Sequence, residues 1–259
     1  MCIIVYKPKG IAYPSRDTLA RCFDANDDGA GYMYTDAGRV HIRKGYMSFK
    51  DFEKALSATR RKIGDDAPVV LHFRISTQAG LRKDCCHPFP LSKKMYDLRK
   101  LKTDARIGVA HNGIISLTST YAKGVTHSDT MEFITDYMSL IIKREEDLRD
   151  ADKRLLIERL ADGSRLAIMH DKDVELIGGG WIEDAGIYYS NASYREPRYE
   201  FVPYAWEGGD DFDEWEDCYD DYIGEYCFDV GNCPLTRDND CDYCALCRNY
   251  GKCYFGGDE

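Results

Sequence analysis

The chain has 259 residues, 44% of them apolar and 12% aromatic, which suits one sizeable domain with an appendage or at most two domains. Its formal charge of −10 argues against direct nucleic-acid binding, because phosphate contacts need clustered lysine and arginine. No apolar run approaches the roughly 18 residues of a membrane span, and the N-terminus does not resemble a signal peptide. We therefore expect a cytoplasmic protein without membrane contact.

Strand and helix patterns alternate irregularly over the first 195 or so residues. The predicted strands are short apolar runs at 2–6, 69–74, 107–111, 166–170, 174–177 and 186–190. The predicted helices cover 15–25, 50–62, 129–143 and a highly charged, solvated stretch at 144–165. This mixture predicts an α+β fold with layers of both elements.

The composition changes near residue 205. Between Glu207 and Glu225 there are ten acidic residues and no basic one, too much self-repulsion for a compact core. We therefore predict a domain at 1–204, an acidic linker at 205–230 and a cysteine-rich tail at 231–259.

The tail contains most of the closely spaced cysteines of the chain. Five of them follow the spacing C-x7-C-x2-C-x2-C-x5-C, namely Cys233, Cys241, Cys244, Cys247 and Cys253. Two-residue gaps let neighbouring thiolates converge on one ion, and four thiolates can close a tetrahedral zinc site. An iron–sulfur cluster is the second interpretation, and disulfides or free thiols the third. We predict zinc.

Cys2 is the first candidate for chemistry. A small side chain at position two normally permits removal of Met1, which would leave Cys2 with a free α-amino group whose unperturbed pKa is about 7.7–8.0. Such an amine can act as a base for its own thiol. Taken alone, a cysteine at the start of a strand is more often a small buried apolar residue.

Three further segments carry polar groups at the ends of predicted elements. Arg74 ends an apolar strand and is followed by hydroxyl residues including Thr77, so it could clamp a carboxylate. Asn112-Gly113 ends another strand, where a side-chain amide and a backbone N–H can form an oxyanion hole or simply a hairpin turn. Asp129 opens a predicted helix, as a cap or as a partner for an ammonium group.

Together these segments resemble the class II glutamine amidotransferases. This N-terminal-nucleophile family includes the glutaminase domains of glucosamine-6-phosphate synthase and glutamine phosphoribosylpyrophosphate amidotransferase. The resemblance covers Cys2 to about Ser193, in the family's order and with roughly its spacing. It rests on Met1-Cys2, Asp28-Gly29-Ala30-Gly31, His72-Phe73-Arg74-Ile75-Ser76-Thr77, His87-Pro88, His111-Asn112-Gly113 and Ser128-Asp129-Thr130.

The resemblance implies a four-layer α/β/β/α sandwich and a role for each residue of the site. Cys2 would be the nucleophile, and Asn112 with the Gly113 N–H would form the oxyanion hole. Arg74 and Thr77 would hold the α-carboxylate of glutamine, and Asp129 its α-ammonium. His87 matches a family histidine near the rim of the pocket and is given no catalytic role.

The expected reaction is hydrolysis of glutamine to glutamate and ammonia, without a cofactor. The ammonia would pass to a separate synthetase partner. Two alternatives remain open: an amidohydrolase acting on another γ-glutamyl or amide substrate, and a non-catalytic binding module with this fold.

Overall fold

A computed structural model describes residues 2–76, 80–118, 125–171 and 173–196. The strands are β1 (Ile3–Lys7), β2 (Ala30–Asp36), β3 (Arg39–Tyr46), β4 (Val69–Phe73), β5 (Phe89–Pro90), β6 (Lys102–Ala105), β7 (Gly108–Asn112), β8 (Arg165–Met169), β9 (Val174–Ile177), β10 (Ile182–Asp184) and β11 (Ile187–Tyr189). The helices are α1 (Arg16–Asp24), α2 (Phe49–Ile63), α3 (Met95–Leu98), α4 (Asp129–Phe133), α5 (Ser139–Ile141) and α6 (Ala151–Leu160). A π-helical turn, Ile134–Met138, joins α4 to α5, and short 3-10 turns cover Lys83–Cys85 and Glu145–Arg149.

The strands form two sheets, and the pairs within each sheet are antiparallel. The larger sheet has the order β10-β11-β1-β4-β2-β3-β6, and the smaller one β5-β7-β8-β9. β1 lies beside β4 with Ile3 opposite Phe73, which brings the start of β1 next to the end of β4. The predicted mixed α+β fold is confirmed at this level.

The side chains of β1 alternate between two apolar clusters. Ile3 and Val5 lie in a cluster with Leu19 and Phe23 of α1 and Phe52 of α2. Because successive residues of a strand point to opposite faces, the residues between them contact a different layer.

The opposite face of the larger sheet packs on the smaller sheet. Ile4, Met33 and Val70 share a buried cluster with Ala110 and Ala167 of the smaller sheet. The far face of the smaller sheet packs on the helices after residue 128: the third cluster joins Val109, Leu166 and Ile168 to Met131, Ile134, Met138 and Ile157.

The helix ends follow from local side chains. Ser15 caps α1 by accepting from the Thr18 N–H, and Ser48 caps α2 by accepting from the Asp51 N–H. At the other end of α2, Gly64 has a φ of +64°, which an L side chain rarely adopts.

Two predictions about the later helices need correction. The charged helix expected at 144–165 is divided, because Asp150 leaves helical geometry and caps α6 through the Asp152 and Lys153 N–H groups. The cap of α4 is Ser128, whose hydroxyl accepts from the Met131 N–H, and Asp129 is the first helical residue. The acidic linker at 205–230 and the cysteine-rich tail at 231–259 lie outside the described residues.

Among the residues described, no helix combines the length and apolar character needed to span a membrane.

Candidate active site

Strand pairing brings Cys2 and Arg74 together. Since Ile3 lies opposite Phe73, the residue before β1 lies beside the residue after β4. Cys2 Sγ is 3.4 Å from the Ile75 amide nitrogen, which donates to it, and 3.5 Å from the Ile75 carbonyl oxygen. The Cys2 carbonyl accepts a hydrogen bond from Asn191 Nδ2 at 2.7 Å.

Burial raises the pKa of the Cys2 thiol above its ordinary value. The Ile75 N–H and the Arg74 guanidinium oppose this effect, and the Asp129 carboxylate adds to it. A thiol in this position is therefore a poor nucleophile unless a nearby base removes its proton.

Arg74 is almost fully buried, and two neighbouring segments fix it. Its Nη2 donates to Ser76 Oγ at 2.9 Å and to the Gly80 carbonyl at 3.1 Å. Its backbone bonds to the segment before β2, with the N–H donating to Gly29 O and the carbonyl accepting from Asp28 N. The Asp28 carboxylate in turn accepts from the Ser76 N–H at 2.6 Å, so this motif residue supports the loop after β4.

Asn112 ends β7 and is buried against Ser190. Its Nδ2 lies 2.9 Å from Ser190 Oγ, while its Oδ1 is buried with no hydrogen-bond partner among the described residues. Ser190 Oγ also accepts from the Ile4 N–H at 2.8 Å. A half-turn about χ2 of Asn112 would let the Ser190 hydroxyl donate to the amide oxygen and leave Nδ2 available as a donor.

Gly113 follows with a φ of +146°, a backbone conformation that favours glycine. A Cβ at this position would lie 2.2 Å from Ser164 Oγ, so no larger residue fits without a shift.

Asp129 lies at the start of α4, and backbone donors orient its carboxylate. Oδ2 accepts from the Ile115 N–H at 3.0 Å, and Oδ1 accepts from the Thr130 N–H at 2.7 Å. The Thr130 hydroxyl also donates to Oδ1 at 3.2 Å. These three donors fix the orientation of the carboxylate beside the cavity, as a site for an ammonium group requires.

Thr130 connects Asp129 to a group of buried histidines. Thr130 Oγ1 lies 3.0 Å from His87 Nε2 and 2.8 Å from His111 Nδ1. The Thr130 hydroxyl has one proton and donates it to the Asp129 carboxylate. Both ring nitrogens must therefore donate to Thr130 Oγ1.

The third histidine, His72, places Nε2 at 2.9 Å from the His111 carbonyl and therefore donates from that nitrogen. Burial lowers the pKa of His72 to about 3 and also lowers the pKa of His87 and His111. All three rings are therefore neutral at pH 7.

A cavity of about 30 Å³ lies among these groups. Its lining includes Cys2, Arg74, Ile75, His87, His111, Gly113, Ser128, Asp129 and Thr130. This volume is room for about two water molecules, so a bound amide group fits but a whole amino acid would have to widen the cavity.

The predicted site residues are distributed unevenly around this cavity. Cys2, Arg74, Gly113 and Asp129 line it, whereas Asn112 does not line it and bonds to Ser190. Thr77 lies outside the described residues. His87 is buried and lines the cavity, and its ring lies against that of His72 with a centroid distance of 4.2 Å and an interplanar angle of 32°.

The five tail cysteines predicted to bind zinc lie outside the described residues. Within them, the residues that bring three potential metal-ligand atoms within 4.8 Å of one another are Glu145, His170 and Asp171, in and near the β8–β9 turn. From the sequence we predicted only strands at 166–170 and 174–177 here, and no metal ligand.

The sequence matches no protein-family model and no curated protein significantly.

Proposed function

We propose that this chain is a class II glutamine amidotransferase domain that hydrolyses glutamine through Cys2. The observation that carries the proposal is the cavity lined jointly by Cys2, Arg74, Gly113 and Asp129. Glutamine presents a carboxylate, an ammonium group and a reacting amide. These four residues offer it a cation, an anion, a nucleophile and a backbone donor.

We further propose the four-layer α/β/β/α sandwich of N-terminal nucleophile hydrolases as the fold. Support comes from the three apolar clusters, which lie between successive layers. α1 and α2 pack on the larger sheet, the larger sheet packs on the smaller one, and the smaller sheet packs on the later helices. The nucleophile would stand immediately before β1, an interior strand of the larger sheet.

In the proposed first step, removal of Met1 has left Cys2 with a neutral α-amine, which takes the proton of the thiol. The sulfur then attacks the amide carbon of glutamine, and the carbonyl oxygen becomes an oxyanion. Two donors would stabilise that charge: the Gly113 N–H and Asn112 Nδ2. The Asn112 amide would first make the half-turn that its contact with Ser190 allows.

Collapse of the tetrahedral intermediate breaks the C–N bond, and the α-ammonium group returns its proton to the leaving nitrogen as ammonia. A γ-glutamyl thioester remains on Cys2. Water then gives a proton to the same amine and attacks the thioester, which releases glutamate and restores the thiol. Hydrolysis needs no cofactor in this scheme, and ammonia passes to a separate synthetase partner.

The test is a glutaminase assay on purified full-length protein. Wild type should release glutamate and ammonia in equal amounts, and Cys2→Ala should abolish release while leaving glutamine binding largely intact. Arg74→Ala should raise KM about 10- to 100-fold, because a charge-assisted hydrogen bond is worth about 1.5–3 kcal/mol. Normal glutamate release by Cys2→Ala would refute the proposal. Turnover of other γ-glutamyl amides but not of glutamine would favour the amidohydrolase alternative.

A further inference from the structure

A second cavity, of about 550 Å³, lies at the β6 edge of the larger sheet, the edge opposite to β10. It shares no lining residue with the candidate active site. It lies where β6, the edge strand of the larger sheet, approaches β5, the edge strand of the smaller one. We call it the basic groove, after the lining residues Arg39, Lys93, Lys100, Arg106 and Lys143.

The acidic residues of the basic groove already have cationic partners. Asp97 Oδ1 lies 2.7 Å from Lys100 Nζ, and its Oδ2 accepts from Ser92 Oγ. Asp104 Oδ1 lies 2.7 Å from His41 Nδ1 and 3.4 Å from an Arg43 nitrogen. Neither carboxylate is therefore left over to neutralise the remaining cations.

Four cations of the basic groove form no ion pair with any acidic side chain in the described part of the chain: Arg39, Lys93, Arg106 and Lys143. All four are exposed and come from different segments, the start of β3, the loop after β5, the end of β6 and the end of α5.

Lys93 and Lys143 lie close enough to affect each other. Desolvation lowers the pKa of Lys143, and the neighbouring Lys93 ammonium lowers it further, against a smaller opposing effect of Asp147. Two like charges held across a groove are unfavourable until an anion lies between them.

The charge of the whole chain conceals this feature. Residues 197–259 hold 17 of the 45 acidic residues and 4 of the 35 basic ones, so residues 1–196 carry a formal charge of +3. Part of that excess lies in the basic groove.

We propose that the basic groove binds a small ligand that carries several phosphate groups. Its volume falls in the range of about 300–1,000 Å³ usual for small-molecule sites. Four unpaired cations match a ligand with several negative charges in a small space, whereas a single carboxylate would leave most of them unbalanced. The proposal is independent of glutamine hydrolysis.

The test is isothermal titration of full-length protein with inorganic triphosphate at low ionic strength. Wild type should bind it, and should bind orthophosphate more weakly. The double variant Lys93→Ala/Lys143→Ala should bind triphosphate at least tenfold more weakly, and Arg106→Ala should also weaken binding. Affinity should fall as salt is raised, because screening weakens exposed ion pairs.

The matched control is Lys50→Ala/Lys54→Ala on α2, which removes the same charge from exposed positions outside the basic groove. It should bind triphosphate like wild type. Circular dichroism and thermal unfolding should show both double variants folded, since all four lysines are exposed. No binding by wild type, or equal weakening in both double variants, would overturn the proposal. So would tight binding of polyglutamate or of an oligonucleotide without binding of triphosphate.

Discussion

The hydroxyl of Ser190 links Asn112 to the strand that follows Cys2. Ser190 Oγ accepts from the Ile4 N–H at 2.8 Å and lies 2.9 Å from Asn112 Nδ2. The Ser190 N–H donates to the Ile4 carbonyl at 2.9 Å, and the residue is fully buried. The serine thus fixes the Asn112 amide relative to β1.

The first prediction is that Ser190→Ala lowers kcat for glutamine hydrolysis about 10- to 100-fold with little change in KM. Complete loss of an oxyanion-hole donor lowers kcat about 10²- to 10³-fold. The effect expected here is smaller, because the variant keeps the Asn112 donor and only misorients it. Steady-state kinetics measures this. Ser139→Ala is the control, because its buried hydroxyl donates to the Thr135 carbonyl at 2.8 Å, and Ser139 does not line the candidate active site. Equal kcat in Ser190→Ala and wild type would show that Ser190 does not orient the amide.

The second prediction concerns Gly113. Gly113→Ala should lower the free energy of unfolding by about 1–3 kcal/mol, because a φ of +146° strains an L residue and its Cβ would overlap Ser164. Gly179→Ala is the control: a Cβ there meets nothing within 4 Å, so its change should stay within about 0.5 kcal/mol. Urea denaturation measures both. Indistinguishable stabilities of the two variants would contradict the geometry at Gly113.

The third prediction follows from the buried histidines. Burial lowers the pKa of His72 to about 3 in the folded chain, whereas an unfolded histidine titrates near 6.5. Between these values the unfolded state binds the extra proton, so acidification through pH 6.5 lowers stability, and raising the pH restores it. The contribution is up to about 1.4 kcal/mol per pH unit per histidine.

Urea denaturation at pH 7.5, 6.5 and 5.5 should therefore show a shallower loss of stability in His72→Gln than in wild type. The two proteins must be compared by the slope of stability against pH, because the substitution also changes packing. Equal slopes would mean that His72 takes up its proton without unfolding.

Much of the fold followed from local patterns in the sequence. The apolar runs predicted as strands correspond to β1, β4, β7, β8, β9 and β11, and the predicted helices at 15–25 and 50–62 correspond to α1 and α2. These elements bury continuous apolar residues or a regular apolar face, so their own sequences specify them.

The hairpin of β2 and β3 was missed, although the sequence carries a signal for it. Val40 and Ile42 are buried while His41 and Arg43 are more exposed, which is the period of a half-buried strand. The turn at Ala37-Gly38 has φ values of +49° and +73°, as a tight two-residue hairpin requires.

The roles of Ser190 and Thr130 could not be predicted from sequence. Ser190 is 78 residues from Asn112 and 186 from Ile4, so only sheet pairing brings them together. Thr130 lies 43 residues from His87. No local pattern encodes such contacts. Cys2, Arg74, Gly113 and Asp129, in contrast, lie in short motifs whose order along the chain can be read from the sequence.

The fourth prediction is that full-length protein, purified without a tag, carries about one zinc ion. The spacing of Cys241, Cys244 and Cys247 lets their thiolates converge on one ion. Changing Cys244 and Cys247 to Ser should remove the metal, whereas Cys22→Ser, at a buried position in α1, should retain it. Elemental analysis measures this; no metal in wild type, with the tail thiols paired as disulfides, would refute it.

The most direct test of the central claim is intact-mass and peptide mass spectrometry of active protein treated with a glutamine-derived diazoketone. We expect a mature chain that lacks Met1 and carries one adduct on Cys2. The adduct should be absent from Cys2→Ala and present in Cys22→Ser. Fully active protein that retains Met1, or an adduct on a cysteine other than Cys2, would contradict an N-terminal nucleophile at Cys2.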